Sequence, residues 1–201
     1  MKKLIIFGSG AHCKIVKDIA EVCGYKVVGF IADTDTKEFL GCPVFSRVEN
    51  IKRFEKYCYF IAIGNNKFRK EKSEKYHYLC FVNLIHPTAI VSKYAKIGVG
   101  NLLMPYTVVN AYAEIGNQNI LNTASIVEHD CRVGSYCHIS VNSAITGVVS
   151  LGDGVFLGAG SVVKNAVSIG EWTTVGAGAC VVKNLDSNGV YVGCPAKPLK
   201  K

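Results

Sequence analysis

From Ile85 onward the chain places an aliphatic residue at every sixth position. Ile85, Val91, Ile97, Leu103, Val109, Ile115, Leu121, Val127 and Val133 open the series. Ile139, Ile145, Leu151, Leu157, Val163, Ile169, Val175 and Val181 complete it without a miss. Four residues after each, the side chain is usually small, as at Ala89, Ala113, Ser125, Cys131, Cys137, Ser143 and Ser161. A six-residue period held this long predicts a parallel β-helix, with the aliphatic residue pointing into the coil.

The first half keeps a different rhythm. "KKLIIFGSG" reads as a strand entering a glycine turn, and "AHCKIVKDIAEVCG" as a helix that stops at Gly24. "YKVVGFIAD" is a second strand ending at Asp33, "YCYFIAIGNN" a third, and "KFRKEKSEKYHY" a charged helix behind it. Alternating strands and helices predict βαβ units and a short parallel sheet. The change of rhythm near Asn83–Pro87 divides the chain into domains 1–84 and 85–201. Gly8–His12, Asp33 and Gly64–Asn66 fall at the carboxyl ends of the strands, where such sheets bind ligands.

Composition narrows the partners. Of 201 residues 49% are hydrophobic, which supports a packed core and excludes disorder. The nine cysteines form no C-x-x-C, so neither a zinc ribbon nor a disulfide framework is indicated. Cys131 and Cys137 simply occupy the small position of consecutive repeats. The formal charge of +8 suits an anionic partner. The lysines are scattered and carry no nucleic-acid motif, which favours a phosphorylated small molecule over nucleic acid. Leu4–Phe7 is too short a run for a secretory signal, and no stretch approaches the ~18 apolar residues of a membrane span. A soluble, cytoplasmic protein is expected.

"GSGAHC" is a partial phosphate-binding fingerprint, with Cys13 in place of the third glycine. Backbone N–H groups of such a turn hold a phosphate at a helix N-terminus, although a merely tight turn reads the same way. His12 stands in this turn as a solvated helix-start residue or a ligand contact, and Asp33 as an acceptor for a ribose or base. The stretch "ASIVEHDCRVGSYCHISV" (124–141) adds His129, Asp130 and His138 to an otherwise packing-rich run. The repeat resembles that of hexapeptide proteins, whose left-handed coils are triangular and take eighteen residues. The period then supplies a little over five coils. His129 and His138, half a coil apart, fall on different sides of the prism. Gly147 falls one full coil after His129, about 4.8 Å away on the neighbouring coil. A lone histidine is usually structural. One with an adjacent acid, beside a glycine on the next coil, is a candidate general base.

Four segments, "FIAIGNNKFRK", "VNLIHPTAIVS", "ILNTASIVEHDC" and "GVYVGCPAK", resemble those of bacterial sugar-nucleotide acetyltransferases. That family includes the bacillosamine-pathway UDP-4-amino-sugar N-acetyltransferases and the sialic-acid O-acetyltransferases. The resemblance implies an N-terminal α/β, Rossmann-like domain for a nucleotide sugar and a C-terminal left-handed parallel β-helix for acetyl-CoA. It also implies a homotrimer with active sites between subunits. Carried over by position, His129 is the general base and Asp130 its acidic neighbour. His138, Gly147, Ala159 and Ala177 are acetyl-CoA contacts, and Gly10, Ala11, His12, Asp33 and Gly64 are nucleotide-sugar contacts. The expected reaction is direct N-acetylation of a UDP-linked 4-amino-4,6-dideoxy sugar, with acetyl-CoA as co-substrate and no metal. Lys197, Lys200 and Lys201 stand equally as contacts for CoA phosphates and as a solvated tail.

Three other readings remain open on sequence. O-acetylation of a sialic-acid-like sugar uses the same base. A metal-dependent β-helix hydratase would need His86, His129 and His138 as ligands, although their spacing does not suggest one cluster. A non-catalytic nucleotide-sugar sensor would bind without turnover.

Overall fold

The computed structural model describes residues 1–199. β1 (Lys2–Phe7) is buried on both faces from Leu4 onward, as the centre of a parallel sheet requires. α1 (Ala11–Val22) turns Cys13, Val16, Ile19 and Ala20 inward at helical spacing. Gly24 ends the turn after it with a φ of +82°. β2 (Tyr25–Ile31) then pairs in parallel with β1. The three-strand expectation missed β3 (Glu38–Phe39) and β4 (Cys42–Phe45), a hairpin closed by Leu40 and Gly41, both at positive φ. Two such residues are what a tight primed turn demands. These strands are too short to show a period in sequence. β5 (Cys58–Ile61) pairs with the other side of β1, giving the order β3-β4-β2-β1-β5. α2 (Asn66–Lys75) starts under an Asn65 cap, whose side chain accepts from the Phe68 N–H at 3.1 Å. It ends short of the sequence-based limit at Tyr78, where Tyr76 turns in to pack on Phe7.

From Leu84–Ile85 to Cys180–Val181, two-residue strands follow one another every six residues. They stack in parallel with partners eighteen residues apart, as in Ile120↔His138 and Ile126↔Ala144, and form three sheets. The second residue of each strand is the aliphatic one, and from Leu103 to Val181 every one of these side chains is buried inside the prism. Cys131 and Cys137 line the same interior. Each corner turns through a residue in the left-handed region. From Gly100 to Gly178 every sixth residue has positive φ, Asp130 among them at +57°. Non-glycine residues there are strained by roughly 1–2 kcal/mol each. Hydrogen bonds between coils offset the strain, for example Asp130 N–H to Ala111 O at 3.1 Å.

The three outer faces differ. On the first, Leu84, Leu102 and Ile120 join Cys13, Val16, Ile19 and Ala20 of α1 in one core, so the head domain sits on this face. The second presents Ile90, Val108, Ile126, Ala144, Val162 and Cys180, none of them fully buried. The third is polar, with Lys96, Glu114 and Arg132 in adjacent coils and Lys96 Nζ 2.8 Å from Glu114 Oε1. Among the described residues, no helix is long and apolar enough to cross a membrane.

Candidate active site

His129 and Asp130 occupy the corner after the strand Ile126–Val127, between the second and third faces. The left-handed backbone of Asp130, which Asp tolerates better than most residues, brings its Oδ2 to 2.8 Å from His129 Nδ1. The carboxylate accepts the Nδ1 proton, and in a neutral ring so oriented the lone pair lies on Nε2. One coil on, a Cβ placed on Gly147 would stand 2.7 Å from that Nε2. Glycine thus keeps the approach to Nε2 open. The neighbouring Cys131 is no nucleophile: its thiol is buried, donates to Thr146 O at 3.1 Å, and burial raises its pKa. Burial pushes the Cys137 thiol up to about 12.

His138 lies elsewhere, on the face beneath the head domain. Its Nε2 accepts from Asn122 Nδ2 at 3.2 Å, while Asn122 Oδ1 is held by the Thr123 N–H. Phe156 meets the ring edge-on at 5.3 Å. Burial above all, then the charge of Arg69 and the proximity of His12, pull its pKa down to about 4. His12 is brought against this seam, and burial followed by Arg69 lowers its pKa too. Ala159 and Ala177 are exposed at the corner between the first and second faces, one coil apart. A single chain therefore unites His129, Asp130 and Gly147 at one corner. It leaves His138, Ala159 and Ala177 at the far side of the second face.

The head domain carries a cavity of about 740 Å³ at the carboxyl ends of β1, β2, β4 and β5. Gly8, Ser9, Asp33, Arg47, Lys72 and Lys75 are among its lining residues. This is the crevice that strand order predicts for a nucleotide, and its size and cations suit a nucleoside diphosphate. Gly10 is the uncapped N-cap of α1 and Ala11 its first residue, beside this mouth. Gly64 lines a separate hollow of about 310 Å³ with Asn66, Phe156 and Trp172.

The sequence reading passed over Arg69. Its only signal was a single arginine among the lysines of α2. The ring of His86, the third histidine of the hydratase reading, bonds only to the nearby Thr88 among the described residues, where no group of three metal-binding side chains converges. Lys197 is exposed, and Lys200 and Lys201 lie outside the described residues.

A histidine–aspartate pair open at a corner of a hexapeptide-repeat coil, in a chain whose head domain carries a nucleotide-sized cavity, fits a hexapeptide-repeat acyltransferase. Comparison with known proteins refines the class. Residues 3–76 match the PglD N-terminal domain. Perosamine N-acetyltransferase from Caulobacter crescentus, solved with CoA and GDP-perosamine, is 35% identical over 100% of this chain and 98% of that one, with a TM-score of 0.95. The acetyltransferase domain of PglB from Neisseria gonorrhoeae is 33% identical over 99% and 100%, with a TM-score of 0.92. UDP-N-acetylbacillosamine N-acetyltransferase of Bacillus subtilis is 33% identical over 108 residues, half of each chain. The chain belongs to the sugar-nucleotide N-acetyltransferase family.

Proposed function

We propose that the protein transfers the acetyl group of acetyl-CoA to the 4-amino group of a nucleotide-linked 4-amino-4,6-dideoxy sugar. The observation that carries this is the open Nε2 of His129, with Asp130 behind it and Gly147 before it. The amine nitrogen attacks the thioester carbonyl while His129 takes one of its protons. The C–S bond then breaks, and CoA leaves as thiolate and is protonated to the thiol. Asp130 orients the imidazole and stabilises its charged form. The Gly147 N–H, which makes no hydrogen bond among the described residues, is the donor for the developing oxyanion. The burial of Cys131 supports direct transfer without an acyl-enzyme.

In this reading residues 1–84 hold the nucleotide sugar through Gly10, Ala11, His12, Asp33 and Gly64, and residues 85–201 hold acetyl-CoA through His138, Gly147, Ala159 and Ala177. The apolar second face supports a homotrimer, because a second copy packed there would bring the His138 side of one chain towards the His129 corner of another. Nine free thiols fit the reducing cytoplasm. A UDP-linked acceptor is the first choice, after the bacillosamine relative, with GDP-perosamine, the ligand of the Caulobacter structure, tested beside it. The deciding experiment is CoA release with UDP- and GDP-linked 4-amino sugars and sialic acids, on the parent protein and His129→Ala. Turnover of one amino sugar that is lost in the variant is expected. Turnover of sialic acid alone, or none at all, overturns the assignment.

A further inference from the structure

Arg69 is the one charged side chain that is buried among the described residues. No carboxylate lies within ion-pair distance of it there. It is held by acceptors alone. On the head side Nη1 donates to Ile63 O at 2.9 Å and Gly64 O at 3.2 Å, and Nη2 to Asn66 Oδ1 at 2.8 Å. On the coil side Nε donates to Gln118 O at 2.7 Å, and Nη2 to Tyr136 O at 2.8 Å and Cys137 O at 3.0 Å. Burial lowers its pKa to about 10, so it stays charged at neutral pH. An apolar side chain would join two domains at lower desolvation cost, so a buried cation here calls for a reason.

The reason lies in what faces it. His12 Nε2 is buried with no hydrogen-bond partner, and His138 Nδ1 makes none of good geometry, although the Gly64 backbone lies close by. Buried polar atoms left open in this way are rare in packed proteins. Both rings feel the guanidinium, and among the described residues no carboxylate pairs with either of them. The rest of the surroundings of His138 is uncharged, being Asn122 and Phe156 on adjacent coils. The carbonyls of Tyr136 and Cys137 run directly into the His138 backbone.

We propose that Arg69 is a positioning residue for acyl transfer: it locks the Gly64 loop of the head to the carbonyls preceding His138. His12 and His138 then stand as fixed, uncharged contacts for the two substrates. This rests on the acetyltransferase reading. An apolar staple would remove the donor from the Ile63, Gly64, Gln118 and Tyr136 carbonyls, whereas the guanidinium satisfies them and adds its charge to the burial that, as the larger cause, disfavours protonation of both imidazoles.

The test is an NMR titration of the histidine ring protons in the free protein, beside steady-state kinetics. Asn66→Asp places a carboxylate against Nη2 and offsets its charge while keeping the Arg69 contact, at the loss of the Asn66 Nδ2 bonds to Gly154 O and Val155 O, and an acid suits the first turn of α2. In that variant the His138 midpoint is expected to rise by about one unit, with His12 moving the same way. Arg69→Gln should raise KM for both substrates about tenfold or more, and Arg69→Lys should restore only part of the loss. Unmoved histidine midpoints in a folded Asn66→Asp protein, or full rescue by lysine, would reduce Arg69 to a structural staple. Because the titration needs no substrate, it decides this question even if no acceptor turns over, the result that would sink the acetyltransferase reading instead.

Discussion

Gly147 and His129 are eighteen residues apart in sequence and in contact in space: a Cβ on Gly147 would stand 2.7 Å from His129 Nε2. A methyl group there must displace the imidazole from its carboxylate or close the approach to its lone pair. Gly147→Ala should therefore lower kcat/KM by about 100-fold, the loss expected from a misplacement of about 1 Å at a reacting centre. The backbone at Gly147 is not left-handed, so thermal stability should change little. A fully active Gly147→Ala enzyme would mean that the chemistry happens elsewhere.

Asp130 serves the ring through one hydrogen bond and the backbone through its left-handed turn. Asparagine tolerates the same turn, so Asp130→Asn separates the two roles. The variant should fold as the parent does and lose about 10²-fold in kcat, since an amide does not stabilise the imidazolium. Equal kcat values in the two proteins would rule out the supporting role of the acid.

Cys131 adjoins the acid yet points into the coil, where Ser125 and Ser143 fill the same repeat position. Cys131→Ser keeps a donor for Thr146 O and should retain activity within about threefold, as a position without contact to reacting atoms allows. Loss of activity with the fold intact would point to a covalent intermediate.

The burial of His138 couples stability to pH. Its pKa falls from 6.5 in the open chain to about 4 in the folded protein, so the unfolded state binds more protons between these values. Stability is then complete above about pH 6.5 and is lost as pH falls towards 4. The loss is at most about 3 kcal/mol, and His12 acts in the same direction. Urea midpoints at pH 7 and pH 5 measure this, and His138→Gln should flatten the difference. A parent midpoint that rises on acidification would contradict the assignment.

The second face carries an apolar row in which Ile90 and Val162 stand exposed. Val162 is 40% exposed there, so Val162→Lys should leave the fold intact. If copies meet on this face, the variant sediments as a monomer and loses most of its turnover, because a buried lysine without a partner costs several kcal/mol. A trimeric, active Val162→Lys protein would move the interface to another face.

The sequence alone determined the β-helix and the βαβ head, because each rests on a period or a local signal, and the resemblance to hexapeptide proteins supplied the eighteen-residue coil that pairs His129 with Gly147. A coil of that length converts a spacing of eighteen into neighbourhood, so Gly147 falls beside His129. The hairpin of β3 and β4 escaped, since two- and four-residue strands are too short to show a rhythm. Only the tertiary structure decided which face the head covers, and so which face is left apolar and open. It alone brought His12 and His138, 126 positions apart in the numbering, to one seam under Arg69. The physical reason is that Arg69 is satisfied by backbone carbonyls, which every residue possesses and no sequence pattern marks.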